Sequence, residues 1–204
     1  MNVTSIAQYT AAVSILIPLY FVLKYWISQS IRKDFRANII GIYVCIMVLA
    51  QILIFFLAFE GKSNIIPQRI FLYIEVILVS YVFLSYQFKE TLLRSLFTGA
   101  ILLLIFAIDY NWGEFSSNPV EVFMMQALLF TILGMLTIPE IRMEKDYENG
   151  IYYFIFAILV YAVNNLIGRG FIQLAPSFSL NVHAAATIIK HLLIAKAFHI
   201  FIKN

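Results

Sequence analysis

Two ionisable side chains lie deep inside long apolar stretches of this sequence. Glu75 lies within the stretch 67–88, and Lys190 lies roughly 18 Å along the stretch 178–202 if that stretch is a helix. Each charge is costly in an apolar environment, and the cost falls when the two charges pair. We therefore predict a Glu75–Lys190 ion pair, with Asp109 as the second candidate partner of Lys190.

Uncharged polar side chains lie at similar depths in several of the other apolar stretches. They are amides, hydroxyls and imidazoles, which can hydrogen-bond either a small molecule or a neighbouring helix. With Glu75 and Lys190 at its centre, this layer predicts a polar chamber that binds a ligand. The other predicted ligand-binding residues are Gln51, Gln126, Asn164, Asn165, His183, Thr187 and His191. The alternative for each of them is a hydrogen bond that only holds two helices together.

All three histidines lie in the last apolar stretch, where they recur every eight residues as His183, His191 and His199. On a helix such side chains turn by about 80° from one to the next, so they do not converge on one metal ion. Cys45 is the single cysteine, which excludes a disulfide within the chain and a thiolate metal cluster. We predict no metal site, no cofactor and no catalytic residue.

Two arrangements in this sequence resemble features of known membrane families. Lys190 with Glu75 resembles the Schiff-base lysine and counterion of microbial rhodopsins, which implies retinal, although Ala186 stands where that family carries an acid. The segment 191–198 resembles the last helix of the alkaline ceramidase and receptor hydrolase superfamily, which implies a zinc hydrolase. That family places a histidine where this sequence has Thr187, and the earlier stretches supply no histidine. A membrane enzyme that acts on lipid therefore stays an alternative.

The composition excludes a soluble enzyme and a nucleic-acid binder. Hydrophobic residues make up 62% of the 204 residues, charged residues make up 12%, and the mean hydropathy is +0.89. A soluble globular chain carries about 25% charged residues, which it needs to cover its surface with groups that water solvates. We predict an all-α integral membrane protein, with no nucleic acid among its partners.

Seven apolar stretches are long enough to cross the roughly 30 Å hydrocarbon layer of a bilayer as helices. Because they are continuously apolar rather than alternating, they predict helices and not the strands of a barrel. We predict one transmembrane domain over residues 1–204 with no soluble domain, the first stretch being a mature span that Pro18 kinks. The predicted spans are 5–27, 37–59, 67–88, 91–110, 119–139, 150–170 and 178–202.

The basic residues predict the orientation of this seven-helix bundle. If the amino terminus lies outside, nine lysines and arginines lie in inner segments and three in outer segments, in agreement with the positive-inside rule. We predict an outer amino terminus, an inner carboxyl terminus and a location in the inner (cytoplasmic) membrane of a prokaryote. The inner group is Lys24, Arg32, Lys33, Arg36, Lys89, Arg94, Arg142, Lys145 and Lys203, and the outer group is Lys62, Arg69 and Arg169.

These observations predict a membrane-embedded sensor that binds a small polar or amphipathic ligand in an outward-facing chamber. Its signal would pass to a separate cytoplasmic protein partner. A small transporter or an oligomeric pore that uses the Glu75–Lys190 pair is the first alternative, and an intramembrane lipid-modifying enzyme is the second. Besides the ligand, the expected partners are the lipid bilayer, the cytoplasmic protein and a second copy of this chain.

Overall fold

The structure, a computed structural model, describes residues 3–28, 34–112, 120–141, 146–171 and 176–203, and most of these residues lie in helices. Within those ranges there is no strand, which confirms the all-α class for them. The helices are α1 (Val3–Val13), α2 (Leu16–Ser28), α3 (Phe35–Phe59), α4 (Ile65–Gln87), α5 (Thr91–Trp112), α6 (Val120–Thr137), α7 (Asp146–Phe171) and α8 (Pro176–Lys203). A 3-10 turn, Ile138–Glu140, follows α6.

Seven helical segments of the described chain are long and apolar enough to cross a membrane, the first of them formed by α1 and α2 together. They match the seven predicted spans to within a few residues. The largest difference is in α7, which begins at Asp146 rather than at residue 150 and continues through Gly168 and Gly170 to Phe171. The predicted start of the fifth span, residue 119, lies outside the described residues.

The first span is interrupted at Ser14 and Ile15, and the cause is Pro18. Proline has no N–H, so the carbonyl of Ser14, four residues earlier, lacks its usual α-helical donor. That carbonyl accepts instead from the N–H of Ile17 at 3.1 Å. The kink predicted at Pro18 therefore takes the form of a break between α1 and α2.

Contacts between the helices show that neighbours in sequence run antiparallel, as seven successive membrane crossings require. Along α7 and α8, for example, Asn164 contacts His183 near one end, and Gly150 lies against Phe201 near the other. The segment α1–α2 runs parallel to α4, α6 and α8, whereas α3, α5 and α7 run in the opposite direction. We call the end at which α1 begins the amino-terminal end of the bundle.

Aromatic packing fills the opposite, carboxyl-terminal half of the bundle. Tyr25 of α2 contacts Phe198 and Phe201 of α8, and all three side chains are at most 1% exposed. Gly150 of α7 lies so close to the Phe201 ring that a Cβ at this position would clash with it. The absence of a side chain at Gly150 therefore allows α7 and α8 to approach closely here.

The outer surface of the bundle carries large apolar side chains. Ile27 of α2, Phe59 of α3 and Leu103 of α5 are 85%, 84% and 69% exposed. Soluble monomers rarely present contiguous apolar surface on several elements, because such surface is costly in water. Together with the seven long apolar helices, this surface indicates an integral membrane protein.

Candidate ligand-binding site

A cavity of about 250 Å³ lies in the amino-terminal half of the bundle. It is enclosed by α1, α3, α7 and α8, with Phe71 contributed by α4, and we call it the Lys190 chamber. It has room for several water molecules or for a small polar group. Its polar lining consists of Gln8, Gln51, Tyr161, His183, Thr187, Lys190 and His191. Its apolar lining consists of Ala11, Ala12, Ile15, Met47, Phe71, Leu180 and Ala184.

Lys190 places a positive charge beside this cavity at the middle of α8. The residue is 3% exposed, and its Nζ lies 3.7 Å from the centroid of the Tyr161 ring. A cation over an aromatic face is attracted by the quadrupole of the ring, but the ring does not neutralise the charge. No carboxylate oxygen of the described residues lies within 4.0 Å of this Nζ. Among the described residues, the buried charge thus has an aromatic ring and no acid within 4.0 Å.

His183 lines the chamber closer to the amino-terminal end. Its Nδ1 lies 3.2 Å from Nδ2 of Asn164, and its ring centroid lies 5.6 Å from that of Tyr161. Because an amide nitrogen donates and does not accept, Nδ1 accepts here, and a neutral His183 carries its hydrogen on Nε2. The Thr187 hydroxyl donates to the carbonyl of His183 at 2.8 Å, so its oxygen keeps the capacity to accept from a ligand.

His191, which also lines the Lys190 chamber, forms a hydrogen bond with α1. Oγ of Ser14 lies 2.7 Å from Nδ1 of His191 and 2.7 Å from the carbonyl oxygen of Ala11. The serine hydroxyl has one hydrogen, which it donates to the carbonyl, so Nδ1 of His191 carries a hydrogen and donates to the serine oxygen. This leaves Nε2 of a neutral His191 as an acceptor. The bond joins α1 to α8 next to Lys190.

Glu75 lies outside the chamber in a cluster of its own, which we call the Glu75 cluster and which also contains Tyr43 and Gln126. Its Oε1 accepts from the hydroxyl of Tyr43 at 2.6 Å, and its Oε2 accepts from Nε2 of Gln126 at 2.7 Å. The residue is 4% exposed and does not line the Lys190 chamber. The predicted ion pair of Glu75 with Lys190 is therefore wrong. Uncharged side chains from α3 and α6 donate to the two oxygens of the carboxylate instead.

The Glu75 cluster and the Lys190 chamber are nevertheless adjacent. The ring of Tyr43 stacks on the ring of Phe71, with centroids 6.5 Å apart and planes 21° apart. Phe71 in turn lines the chamber. The tyrosine whose hydroxyl binds Glu75 is therefore separated from the cavity by one aromatic side chain.

The structure brings together five of the nine residues predicted to bind a ligand. These five line the Lys190 chamber and are Gln51, His183, Thr187, Lys190 and His191. Glu75 and Gln126 belong to the Glu75 cluster, and Asn164 reaches the chamber only through its contact with His183. Asn165 is 3% exposed and does not line the chamber, and its side-chain oxygen has no hydrogen-bond partner among the described residues.

Three polar residues at these sites, Tyr43, Tyr161 and Gln8, are not among the predicted ligand-binding residues. Tyrosine is enriched at the two membrane interfaces, where its hydroxyl reaches water. Tyr43 and Tyr161 lie well inside their apolar stretches instead. A tyrosine deep inside an apolar stretch therefore indicates a buried hydrogen bond or an aromatic contact for a cation, and this is the signal in the sequence that could identify these two residues.

Asp109, the second predicted partner of Lys190, is also bound elsewhere. Its Oδ1 lies 3.4 Å from Nη2 of Arg69, and its Oδ2 accepts a short hydrogen bond from the hydroxyl of Tyr73. Both charged side chains are buried, at 4% and 1% exposure. This ion pair joins α4 to α5. Asp109 therefore pairs with Arg69 rather than with Lys190.

The chamber offers a ligand a positive charge, imidazole nitrogens, amides and a hydroxyl. No group of three histidine, cysteine, aspartate or glutamate side chains in the described ranges could hold a metal ion. No protein family, curated protein or solved structure matches this chain. The chemistry of the chamber is therefore the basis on which a function can be assigned.

Proposed function

We propose that this protein is an integral-membrane sensor that binds a small polar or amphipathic ligand in the Lys190 chamber. The observation that carries the proposal is a buried ammonium that faces a cavity, with no acid of the described chain within 4.0 Å of its nitrogen. An uncompensated charge is costly in an apolar bundle, and a ligand that accepts hydrogen bonds from it offsets that cost. A cavity in which polar groups converge between apolar side chains is typical of small-molecule sites.

The chamber extends toward the amino-terminal end of the bundle. Leu180, about 6 Å along α8, and the exposed Gln8 of α1 both line it. The distribution of lysine and arginine supports placing this end outside, with the protein in the inner membrane of a prokaryote. The chamber would then face the outer side of the membrane.

The signal would pass along α8 to the carboxyl-terminal end. Ser14 and His191 join α1 to α8 next to Lys190, and α8 continues from there to the packed ring of Phe198. A ligand that binds Lys190 changes these contacts and so favours one arrangement of α1 and α8 over another. The segment 140–148 carries charges of both signs, and we assign it the docking of a separate cytoplasmic protein.

The packing beyond the chamber supports binding rather than conduction. Tyr25, Phe198 and Phe201 occupy the bundle between the chamber and the carboxyl-terminal end, and they are almost completely buried. A pore or a transporter needs a polar path through this half at some stage of its cycle. The sensor therefore has more support than the transporter.

Thiol labelling inside the chamber tests the proposal. In a Cys45→Ala background, Thr187→Cys places the single thiol of the chain in the lining. A methanethiosulfonate reagent that carries a sulfonate should label this thiol roughly tenfold faster than one that carries a quaternary ammonium, because Lys190 attracts anions into the cavity. The measurement is the ratio of the two labelling rates in the purified, folded protein.

Two lysine variants on α8 control this measurement. Lys190→Met should remove the preference for the anionic reagent. Lys196→Met should keep it, because the exposed Lys196 lies near the ring of Tyr153, away from the chamber. Complete protection of the thiol from both reagents in the folded protein would contradict the proposed binding site.

A further inference from the structure

A second cavity adjoins the Lys190 chamber between α1 and the second half of α3. Its volume is about 610 Å³, which lies within the usual range for the pocket of a small organic ligand. The lining is apolar apart from the amide of Gln51 and the hydroxyl of Tyr9, and it includes Ile52, Phe55 and Phe59. We call this cavity the α1–α3 groove.

The groove lies directly beside the chamber. Ala12, Ile15 and Gln51 line both of them. A third cavity, of about 390 Å³, shares Ala12 and Phe59 with the groove and Gln8 with the chamber. The apolar surface on α3 therefore borders the polar lining around Lys190.

The groove is open on the side that faces away from the bundle. Ile52, Phe55 and Phe59 are 61%, 58% and 84% exposed. Helix α1 packs mainly on α8, and α3 packs mainly on α4, which leaves the space between α1 and α3 unfilled by the described side chains. In a bilayer this opening faces the lipid chains, so an apolar molecule can enter it sideways.

The lining of the groove is mainly apolar, whereas half of the residues that line the chamber are polar. From Phe59 to Gln51 the groove follows α3 for about 12 Å and is apolar. Beyond Gln51 lie Lys190 and the imidazoles of His183 and His191. No aspartate or glutamate is among the described residues that line either part. The groove therefore fits an apolar chain, and the chamber fits an anionic group at the end of that chain.

We infer that the ligand is a single-chain amphiphile with an anionic headgroup, of the fatty-acid type. The inference rests on the proposed function, to which it adds the chemical class of the ligand and its route of entry. The headgroup accepts charge-assisted hydrogen bonds from Lys190, and the chain lies in the α1–α3 groove. The groove is one apolar path into the chamber, which suits one chain rather than two.

Competition binding to the full chain in nanodiscs of zwitterionic phosphatidylcholine tests the inference. Tritiated dodecanoate should bind saturably, and unlabelled dodecanoate should displace it. Dodecanol and dodecyltrimethylammonium keep the chain but not the negative charge, so each should compete at least about tenfold more weakly. Acetate keeps the charge without the chain and should compete more weakly still, because burial of each methylene adds to affinity.

Matched variants separate the two parts of the site. Lys190→Met should weaken dodecanoate binding roughly ten- to hundredfold, and Lys196→Met should not change it. Ala12→Trp fills the junction of groove and chamber and should abolish binding, whereas Ala100→Trp on the exposed face of α5 should not. Ile52→Trp narrows the groove from α3 and provides a second test if Ala12→Trp does not fold.

Each contrary result would contradict a different part of the inference. Absence of saturable dodecanoate binding, or equal competition by dodecyltrimethylammonium, would overturn the anionic amphiphile. Binding that persists in folded Ala12→Trp and Ile52→Trp would overturn the groove as the site of the chain. If acetate binds in a manner that depends on Lys190 and dodecanoate does not, the inference fails and the proposed sensor remains. If the thiol in the chamber also resists labelling, both fail.

Discussion

Glu75 and Lys190 are 4% and 3% exposed, yet their surroundings differ completely. The carboxylate of Glu75 has one donor on each oxygen, Tyr43 on one and Gln126 on the other. The ammonium of Lys190 has the ring of Tyr161 on one side and a cavity beside it. Side chains of the bundle thus donate hydrogen bonds to the buried carboxylate of Glu75, whereas the buried ammonium of Lys190 faces a cavity.

This difference separates a structural role from a binding role. A buried group with all its partners in place stabilises the packed state, and removal of one partner leaves the others unsatisfied. A charge beside a cavity contributes little to packing but is available to a ligand. We therefore expect variants of the Glu75 cluster to lose stability, and variants of Lys190 to lose binding while they keep their stability.

Glu75→Ala should have the largest effect on stability. It leaves the hydroxyl of Tyr43 and the amide of Gln126 without an acceptor in buried surroundings, which should lower the free energy of unfolding by about 3 kcal/mol. Denaturant titration of the purified protein in detergent measures this loss. Glu60→Ala is the matched control, because Glu60 forms its ion pair with Lys62 at the surface. A loss below about 1 kcal/mol for Glu75→Ala would contradict a structural role for the cluster.

Tyr43→Phe should have a smaller effect in the same direction. The ring keeps its contact with Phe71, and Glu75 loses one of its two donors, so the free energy of unfolding should fall by about 1 kcal/mol. The same denaturant titration measures it, with Tyr20→Phe as the control at a position that is 60% exposed. Equal losses in the two variants would show that the buried hydrogen bond adds nothing.

Lys190→Met should have the smallest effect on stability. The change removes a buried charge that has no acid of the described residues beside it, and methionine fills a similar volume. We expect the free energy of unfolding to stay within about 0.5 kcal/mol of the original value or to rise. A loss as large as that of Glu75→Ala, in the same titration, would place Lys190 among the structural groups and remove the contrast between the two sites.

The spans could be predicted because they depend on local composition. A continuous apolar stretch in lipid has to satisfy its own backbone hydrogen bonds and therefore forms a helix. The break before Leu16 also depends on local sequence, because Pro18 removes the N–H donor that the carbonyl of Ser14 would bind in a regular helix. The orientation of the bundle in a membrane stays a prediction from the positions of lysine and arginine.

The membership of the site could be predicted only in part. Depth along a helix can be counted from the sequence, and the structure places His183, Lys190 and His191 around one cavity. The direction of a side chain around its helix depends on how each helix is rotated against its neighbours, and this is set by the packing of the whole bundle. For this reason Glu75 was predicted in the chamber and lies beside it.

The amino-acid sequence by itself determined that this chain forms apolar helices, their approximate bounds, and which polar groups each of them carries. Only the tertiary structure decided that Tyr43 and Gln126 donate hydrogen bonds to Glu75, and that Lys190 faces a cavity beside an apolar groove. The physical reason is that a helix satisfies its backbone within itself, whereas a buried side chain finds its partners on helices that are distant in sequence and meet it only in the packed bundle.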